Sequence, residues 1–403
     1  MELVIALEHR FARTPDGAVW TPTALARASW DRYLGAFGTV HLLARVEDVP
    51  QRDPRWARVD GDGVDLLPVP YYVGPREYFL RRGRVRTAVR AALDRHRSAA
   101  VILRVAGTIA SVAADALRET GSPFAVEVVG DPHDALAPGA TSHPLRPFFR
   151  WWATRELRRI CREASSALYV TTTTLQRRYP TRPGVHSFGV SDVETGRDAF
   201  VVEPRPPDAP AGPPFRIVHV GTLAALYKGP DLLIDAVGRA AAAGLDVELT
   251  IVGDGQLRPP LEERARRAGI GQRTRFVGHL ASPAAVRAEL DRAHVFVLPS
   301  RQEGMPRAVV EAMARALPCL CSAIGGIPEL LPAEAIVDME IGAFAARILD
   351  VARDASLRAR MSRENLQRAR AFRQEALQPI REAFYRDVIA RAQRGARTPV
   401  AAG

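Results

Sequence analysis

Two carboxylates eight residues apart, Glu303 and Glu311, straddle a junction where a strand gives way to a helix. The run Val295-Phe296-Val297-Leu298, entered through His294, reads as a buried parallel strand. Pro299 ends it, and Pro306 suits the first position of a helix, where no amide is needed. The helix is predicted to run to about Leu317, with Pro318 as its stop. Glu303 is then expected on the loop at the strand's carboxyl end, and Glu311 about a turn inside the helix. Open α/β sheets bind ligands at that end, and a helix start offers amides and a positive dipole to an anion. Such a site holds a phosphate on backbone amides and sugar hydroxyls on carboxylates. Against this stands the plain reading of Glu303 as a helix cap and Glu311 as a solvated side chain.

A second constellation lies upstream and shifts the balance. Phe215-Arg216-Ile217-Val218-His219-Val220-Gly221 reads as a strand entering a glycine turn, and Pro230 opens an amphipathic helix that ends at Gly244. Lys228 stands just ahead of that helix start and is the only lysine in the chain; every other basic residue counted with it is arginine. A lysine there is a mobile point charge suited to a diphosphate, although most lysines are ordinary surface residues.

The elements that position these groups are strand–helix alternations on both sides of a proline-rich break. Thr39–Ala44, Ala100–Val105 and Phe124–Val129 read as buried strands of a first domain, residues 1–203. Residues 204–214 carry too many prolines for a helix or strand interior and are expected to be a linker. A second domain is expected over 215–373, followed by a helical tail, 374–403, with Ile380, Phe384, Tyr385 and Val388 on one face. The opening strand is expected to break at Glu8, His9 and Arg10.

The ordered set Val218-His219-Val220-Gly221, Lys228-Gly229, Leu249 to Gly255, Val277-Gly278-His279-Leu280, Pro299-Ser300, Glu303 to Glu311 and Gly325 to Leu330 resembles the retaining glycosyltransferases of family 4. The motifs fall in the family's order over residues 215 to 331, and a looser likeness continues through Gly130-Asp131-Pro132-His133-Asp134 and Ala137-Pro138-Gly139. The resemblance implies a GT-B architecture, two Rossmann-like α/β domains with parallel sheets facing a central cleft. It also implies the tail helix crossing back to the first domain. It implies donor contacts at Gly221, Thr222, Lys228, Gly253, Gly304, Met305, Pro306 and Glu311, with Lys228 on the diphosphate and Glu311 on the ribose hydroxyls. Glu303 would face the donor sugar. Members often carry arginine where Thr222 stands, so the diphosphate clamp here would rest on Lys228, helix termini and an arginine from elsewhere.

On the acceptor side, Asp131 and His133 follow a predicted buried strand at its carboxyl end. Asp131 either positions a reacting hydroxyl, as a third catalytic candidate beside Glu303 and Lys228, or caps a turn before Pro132, and the two readings weigh evenly. For His133 the turn reading leads. Gly17 either brings backbone toward the donor or is a plain turn glycine. Asp60-Gly61-Asp62 reads as a turn and not as a metal pair, so no metal or other cofactor is expected beyond the donor substrate.

Composition agrees with a two-domain globular protein: 403 residues, 47% hydrophobic and 25% charged. Cys161, Cys319 and Cys321 offer neither a disulfide framework nor metal-ligand spacing, and Cys319 and Cys321, flanking Leu320 in what reads as a buried strand, are expected to be inert core thiols. No secretory leader and no membrane-crossing run is read, which makes the cytosol the expected compartment. The net charge is +11, and residues 145–160 mix arginine with large aromatics. Peripheral contact with the inner face of a membrane is one meaning of such a segment. The expectation put ahead of it is that Phe148, Trp152 and Ile160 pack inward while the arginines are solvated. No nucleic-acid module accompanies the charge, so no specific nucleic-acid partner is expected.

The function read from all this is a metal-independent retaining transfer of sugar from a nucleotide-diphosphate sugar to a glycan, lipid-linked or small-molecule acceptor, as in polysaccharide biosynthesis. Two rivals stay open: a nucleotide-sugar epimerase on the same architecture, and a non-catalytic nucleotide-sugar-binding scaffold.

Overall fold

The computed structural model describes residues 1–23, 25–137, 143–193, 195–206, 213–280 and 282–396. Residues 207–212 of the expected linker, and Pro138 and Gly139 of the first-domain motif, lie outside the described residues.

The first sheet contains β1 (Glu2–Arg13), β2 (Val19–Thr21), β3 (Thr39–Asp48), β4 (Ala57–Arg58), β5 (Val64–Pro70), β6 (Ala100–Val105), β7 (Ala125–Val128), β8 (Ser166–Tyr169) and β9 (Ser187–Gly189). Its parallel body runs β5-β3-β1-β6-β7-β8-β9, and β2 and β4 extend it through antiparallel pairing on the far half of β1. The second sheet contains β10 (Phe215–Val220), β11 (Val247–Val252), β12 (Thr274–Gly278), β13 (Val295–Leu298), β14 (Cys319–Ser322) and β15 (Ile336–Val337), in the order β12-β11-β10-β13-β14-β15. Every pair in it is parallel. The order steps outward from β10 in both directions, so β10 and β13 flank the switch point where a crevice opens at the strands' carboxyl ends. Strands β13 and β14 are buried at every position, as sheets covered on both faces require.

The opening strand does not break at Glu8. It continues to Arg13 because, beyond a register shift between Ala6 and Arg10, residues 10–13 pair with residues 45–48 of β3, and Ala12 and Arg13 also pair with β2. In this far half the charged Arg10 and Arg13 flank Phe11 and Ala12, which are buried.

Two compact units divide the chain, and they are not contiguous stretches. One comprises Met1–Gly130, Trp152–Val190 and the chain from Pro379; the other comprises Asp131–Trp151 and Ser191–Gln378. Residues 191–203 therefore go with the second sheet and not with the first domain expected over 1–203. They are held there by the Val201 amide on the Ala314 carbonyl (3.0 Å), Arg315 on the Ala199 carbonyl (3.1 Å) and Arg287 on Asp198 (2.8 Å). The tail is a helix, Gln374–Ala396. Beyond Pro379 it lies with the first sheet, where Tyr385 packs its ring 5.4 Å from Tyr33 and 5.7 Å from Phe37. Phe384, Tyr385 and Val388 are buried, whereas Ile380, one turn ahead of Phe384, is exposed.

Candidate active site at the carboxyl ends of β10 and β13

Lys228 follows β10 on a short turn, Leu226–Lys228, and Glu303 follows β13 on the loop before the Arg307–Ala314 helix. The fold brings them together across 75 residues: the Lys228 ammonium donates to both Glu303 carboxylate oxygens at 2.8 Å. The side chains are 19% and 5% exposed, so the pair is largely withdrawn from water and its attraction is weakly screened. Ser300 Oγ donates to Glu303 Oε1 at 2.6 Å, which fixes the carboxylate from below. The Lys228 ammonium also sits 5.4 Å from the centre of the Tyr227 ring.

Backbone crowding explains the glycines. Gly253 has a φ of +140° and lies so close to the Gly221 carbonyl that a Cβ would overlap it; it also donates its amide to the Gly278 carbonyl at 2.9 Å. Gly325, at φ +57°, faces the Glu303 carbonyl in the same way, and the neighbouring Gly326 amide donates to the Gly304 carbonyl at 2.7 Å. The Glu303 loop is thereby seated against the turn after β14. Met305 also lines this contact: a Cβ at Gly326 would meet its methyl carbon at 2.9 Å. Gly221 lies against the aliphatic stem of Lys228, and Thr222 folds back locally, donating to the Asp254 carbonyl at 3.4 Å and accepting from the Ala224 amide at 3.2 Å.

Pro306 is the residue before the helix and not its first residue; the helix begins at Arg307 and ends at Ala314, short of Leu317, where Ala316 turns to φ +53°. No side chain caps this helix start and no acid lies in its first turn. The helix Pro230–Ala242 differs, because Asp231 occupies its first turn and Arg301 grips that carboxylate through both of its terminal nitrogens, at 2.8 and 2.9 Å. Arg301 also donates to the Leu226 carbonyl at 2.7 Å, so it braces the Lys228 turn and is not spare for an anion. Glu311 sits half-buried on the Arg307–Ala314 helix, and burial raises its pKa above the usual carboxylate range while Arg307 and Arg287 pull it back.

His219, within β10, is buried and its Nδ1 lies 3.0 Å from the Val297 carbonyl. Burial, opposed by that bond and reinforced by Lys228, lowers its pKa to about 4, so the ring is neutral and Nδ1 carries the proton. Ser300, Arg301 and His219 were not assigned roles from sequence. Ser300 and Arg301 stood inside the stretch that was read, but their work depends on partners revealed only by folding.

The remaining candidates lie elsewhere. Asp131 caps the four-residue helix Pro132–Ala135 by accepting the His133 amide at 2.9 Å, the turn role weighed for it. His133 Nδ1 lies 3.1 Å from both Asp134 Oδ1 and an Arg150 terminal nitrogen, and Arg150 Nε donates to its carbonyl at 2.8 Å. Gly17 occupies the turn between β1 and β2 at φ +85°, donating to the Thr14 carbonyl at 2.9 Å, with open space where a Cβ would stand. In that first unit the start of the helix Thr108–Glu119 is already occupied, since Glu8 accepts the Ile109 amide at 3.0 Å and pairs with Arg45 at 2.8 Å. Among the described residues, two trios have ligand atoms within 4.8 Å of one another: Asp131, His133 and Asp134, and Glu2, His41 and His96. Asp60 accepts the Val19 amide at 2.9 Å in its turn. The three cysteines are buried, and burial pushes the Cys161 thiol up to about 12.

Two α/β units with parallel sheets, the second carrying an anion-ready helix start beside a lysine–glutamate pair, define the GT-B fold. Residues 214–354 match the family model described as "Glycosyl transferases group 1". The chain is similar to Protein CapJ of Staphylococcus aureus, 26% identical over 298 residues, which is 74% of this chain and 73% of that one. It is 32% identical over 160 residues to glycogen synthase of Mycobacterium tuberculosis, 38% of each chain, so this likeness is confined to part of both proteins. Among solved structures, sucrose-phosphate synthase from Thermosynechococcus elongatus superimposes with a TM-score of 0.69 at 18% identity, covering 97% of this chain and 99% of that one. Anabaena HepE in complex with UDP and glucose does so with a TM-score of 0.61 at 16% identity, covering 100% of both. The family match and the curated relatives support a glycosyltransferase.

Proposed function

We propose that the protein is a metal-independent, retaining glycosyltransferase of family 4 that moves a sugar from a nucleotide-diphosphate sugar to a glycan, lipid-linked or small-molecule acceptor. The observation that carries this reading is the Lys228–Glu303–Ser300 cluster beside the uncapped start of the Arg307–Ala314 helix. In the free protein the lysine and the glutamate satisfy one another. A donor can replace both halves of that pair: its diphosphate takes the Lys228 ammonium, and its sugar hydroxyls donate to the Glu303 carboxylate. Ser300 keeps the carboxylate in place during the exchange.

The leaving diphosphate gains negative charge as the glycosidic bond breaks. Lys228 and the Arg307–Ala314 dipole and amides are fixed positive groups that answer it, with the exposed Arg307 side chain near that helix start. Glu311, one turn along, is assigned to the ribose hydroxyls. On this reading the departing phosphate oxygen accepts the acceptor's proton on the same face, which retains the anomeric configuration. Asp131 and His133, which belong to the compact unit of the second sheet, are assigned to the acceptor side, and Gly17, in the other unit, to a turn.

Glycogen synthase and sucrose-phosphate synthase, named above, are by name synthases of sugar compounds, which favours transfer over epimerisation. The scaffold reading draws on Thr222, which leaves the diphosphate without the arginine often found there, while Arg301 is committed to Asp231. The test is direct: Lys228→Ala and Glu303→Ala each lose turnover about a hundredfold to a thousandfold while keeping the fold. Near-normal activity in both variants rejects the assignment, and donor binding without transfer by the unaltered protein selects the scaffold.

A further inference from the structure

The helix Arg146–Glu163 does not bury the aromatics expected to pack. Ile160 is buried, but Phe148, Trp151 and Trp152 are 55%, 59% and 51% exposed, and Leu145 just ahead of the helix is 57% exposed. The inward positions are instead Thr154, Leu157, Ile160 and Cys161, which fall at three- and four-residue spacing and leave the aromatics on other turns of the surface. The Phe148 and Trp151 ring centres are 6.1 Å apart, so these two exposed rings adjoin, and Trp152 follows Phe148 at four-residue spacing. Following the same spacing toward the carboxyl end, Trp151 leads to Arg155, Arg158 and Arg162, all exposed. The outer face thus begins aromatic and ends basic. The acids on the helix, Glu156 and Glu163, are both engaged by Arg159, and Arg158 Nε donates to the neutral Arg178 carbonyl at 2.9 Å.

We propose that this face docks the protein on an anionic lipid bilayer, with the rings at the headgroup level and the arginines on lipid phosphates. A membrane fits better than other polyanions because indole and phenyl rings side by side with guanidinium groups match an interface that is apolar on one side and negatively charged on the other. A nucleic acid or polyanionic glycan would use the arginines but gain little from Leu145 and Phe148. Among the described residues no helix is long and apolar enough to cross a membrane, so the contact is peripheral. The proposal does not depend on the donor site, whose residues lie on other elements.

The experiment uses the full chain with vesicles of phosphatidylcholine alone and with about one-third phosphatidylglycerol, read by co-sedimentation and by quenching of tryptophan fluorescence with lipids brominated at shallow acyl positions. Binding is expected only to the anionic vesicles, falling as salt rises, with quenching that disappears in Trp151→Ser/Trp152→Ser. Phe148→Ser/Trp151→Ser/Trp152→Ser and Arg155→Gln/Arg158→Gln/Arg162→Gln are each expected to weaken partitioning strongly, the arginine set by about a hundredfold. Both variants are expected to keep donor-induced stabilisation, since the altered side chains lie on elements other than those of the donor site, with at most a small drop in melting temperature where Arg158 loses its bond to the Arg178 carbonyl. Equal binding to neutral vesicles overturns the proposal, as does binding unaffected by either set, which would move the contact to another basic surface. Loss of binding on arginine replacement alone, with no quenching in the parent and equal competition by duplex DNA, overturns it in favour of a general polyanion site.

Discussion

Lys228 and Glu303 hold each other, so removing one is not symmetrical with removing both. Lys228→Met leaves a buried carboxylate with Ser300 as its remaining partner, and is expected to lower unfolding free energy by roughly 2–3 kcal/mol, below the loss for a fully enclosed pair because Lys228 reaches solvent. Adding Glu303→Gln is expected to return much of that loss, a coupling that a double-mutant cycle in urea measures. Additive losses would mean that the two groups do not depend on one another. Glu311 makes the opposite case. Its pKa is raised in the folded chain by burial, so between the ordinary carboxylate value and the raised one the folded state binds more protons than the unfolded. Stability from this residue is therefore lost as pH rises through that window. Glu311→Gln is expected to stabilise the protein at neutral pH while weakening donor binding at least tenfold, since hydrogen bonds to a charged acceptor are worth about 1.5–3 kcal/mol each. Melting curves and donor titration, run on the same variant, separate the two effects.

Elements hold these residues through backbone contacts that tolerate no added atom. Gly325→Ala would drive a methyl group into the Glu303 carbonyl, so it is expected both to destabilise the second unit and to abolish donor binding. Gly17→Ala meets open space and carries only the left-handed backbone penalty, about 1–2 kcal/mol. Comparing the two variants by thermal melting and donor binding distinguishes a seat for the catalytic loop from an ordinary turn. The same contrast shows what the sequence could reveal. Strands β10 and β13 were legible because most of their positions are buried and apolar, with Arg216 and His219 as the exceptions in β10. The far half of β1 was not, because Arg10 and Arg13 sit in it and only its pairing with β3 and β2 makes it a strand. Glu303 was legible from its place after a buried strand, whereas Ser300 and Arg301 acquire roles through Glu303 and Asp231 once the chain is folded. Phe148 and Trp152 were misread because size and aromaticity favour burial on average, and the helix had enough smaller residues to fill its inward side.

At the scale of the molecule, titration and ligand linkage read the fold as a whole. His9 in the first unit and His219 and His294 in the second are each lowered to about 4, chiefly by burial. Between about 6.5 and 4 the unfolded chain takes up protons that these rings refuse when folded, so stability is expected to fall as pH drops through that range. Urea unfolding at several pH values measures the slope, and replacing the three by glutamine is expected to flatten it. A nucleotide-diphosphate sugar at a hundred times its dissociation constant is expected to stabilise the protein by about 2.7 kcal/mol, seen as a rise in melting temperature. A flat response to every donor tried would count against the site. The chain's lone lysine has one more use. Reductive methylation or an acylating reagent finds a single side-chain amine here, apart from the terminal one, and it stands where the donor phosphates are assigned. A ¹³C label on that nitrogen would therefore give one resonance that reports occupancy, and protection from the reagent by bound donor would map the cradle without any crystal.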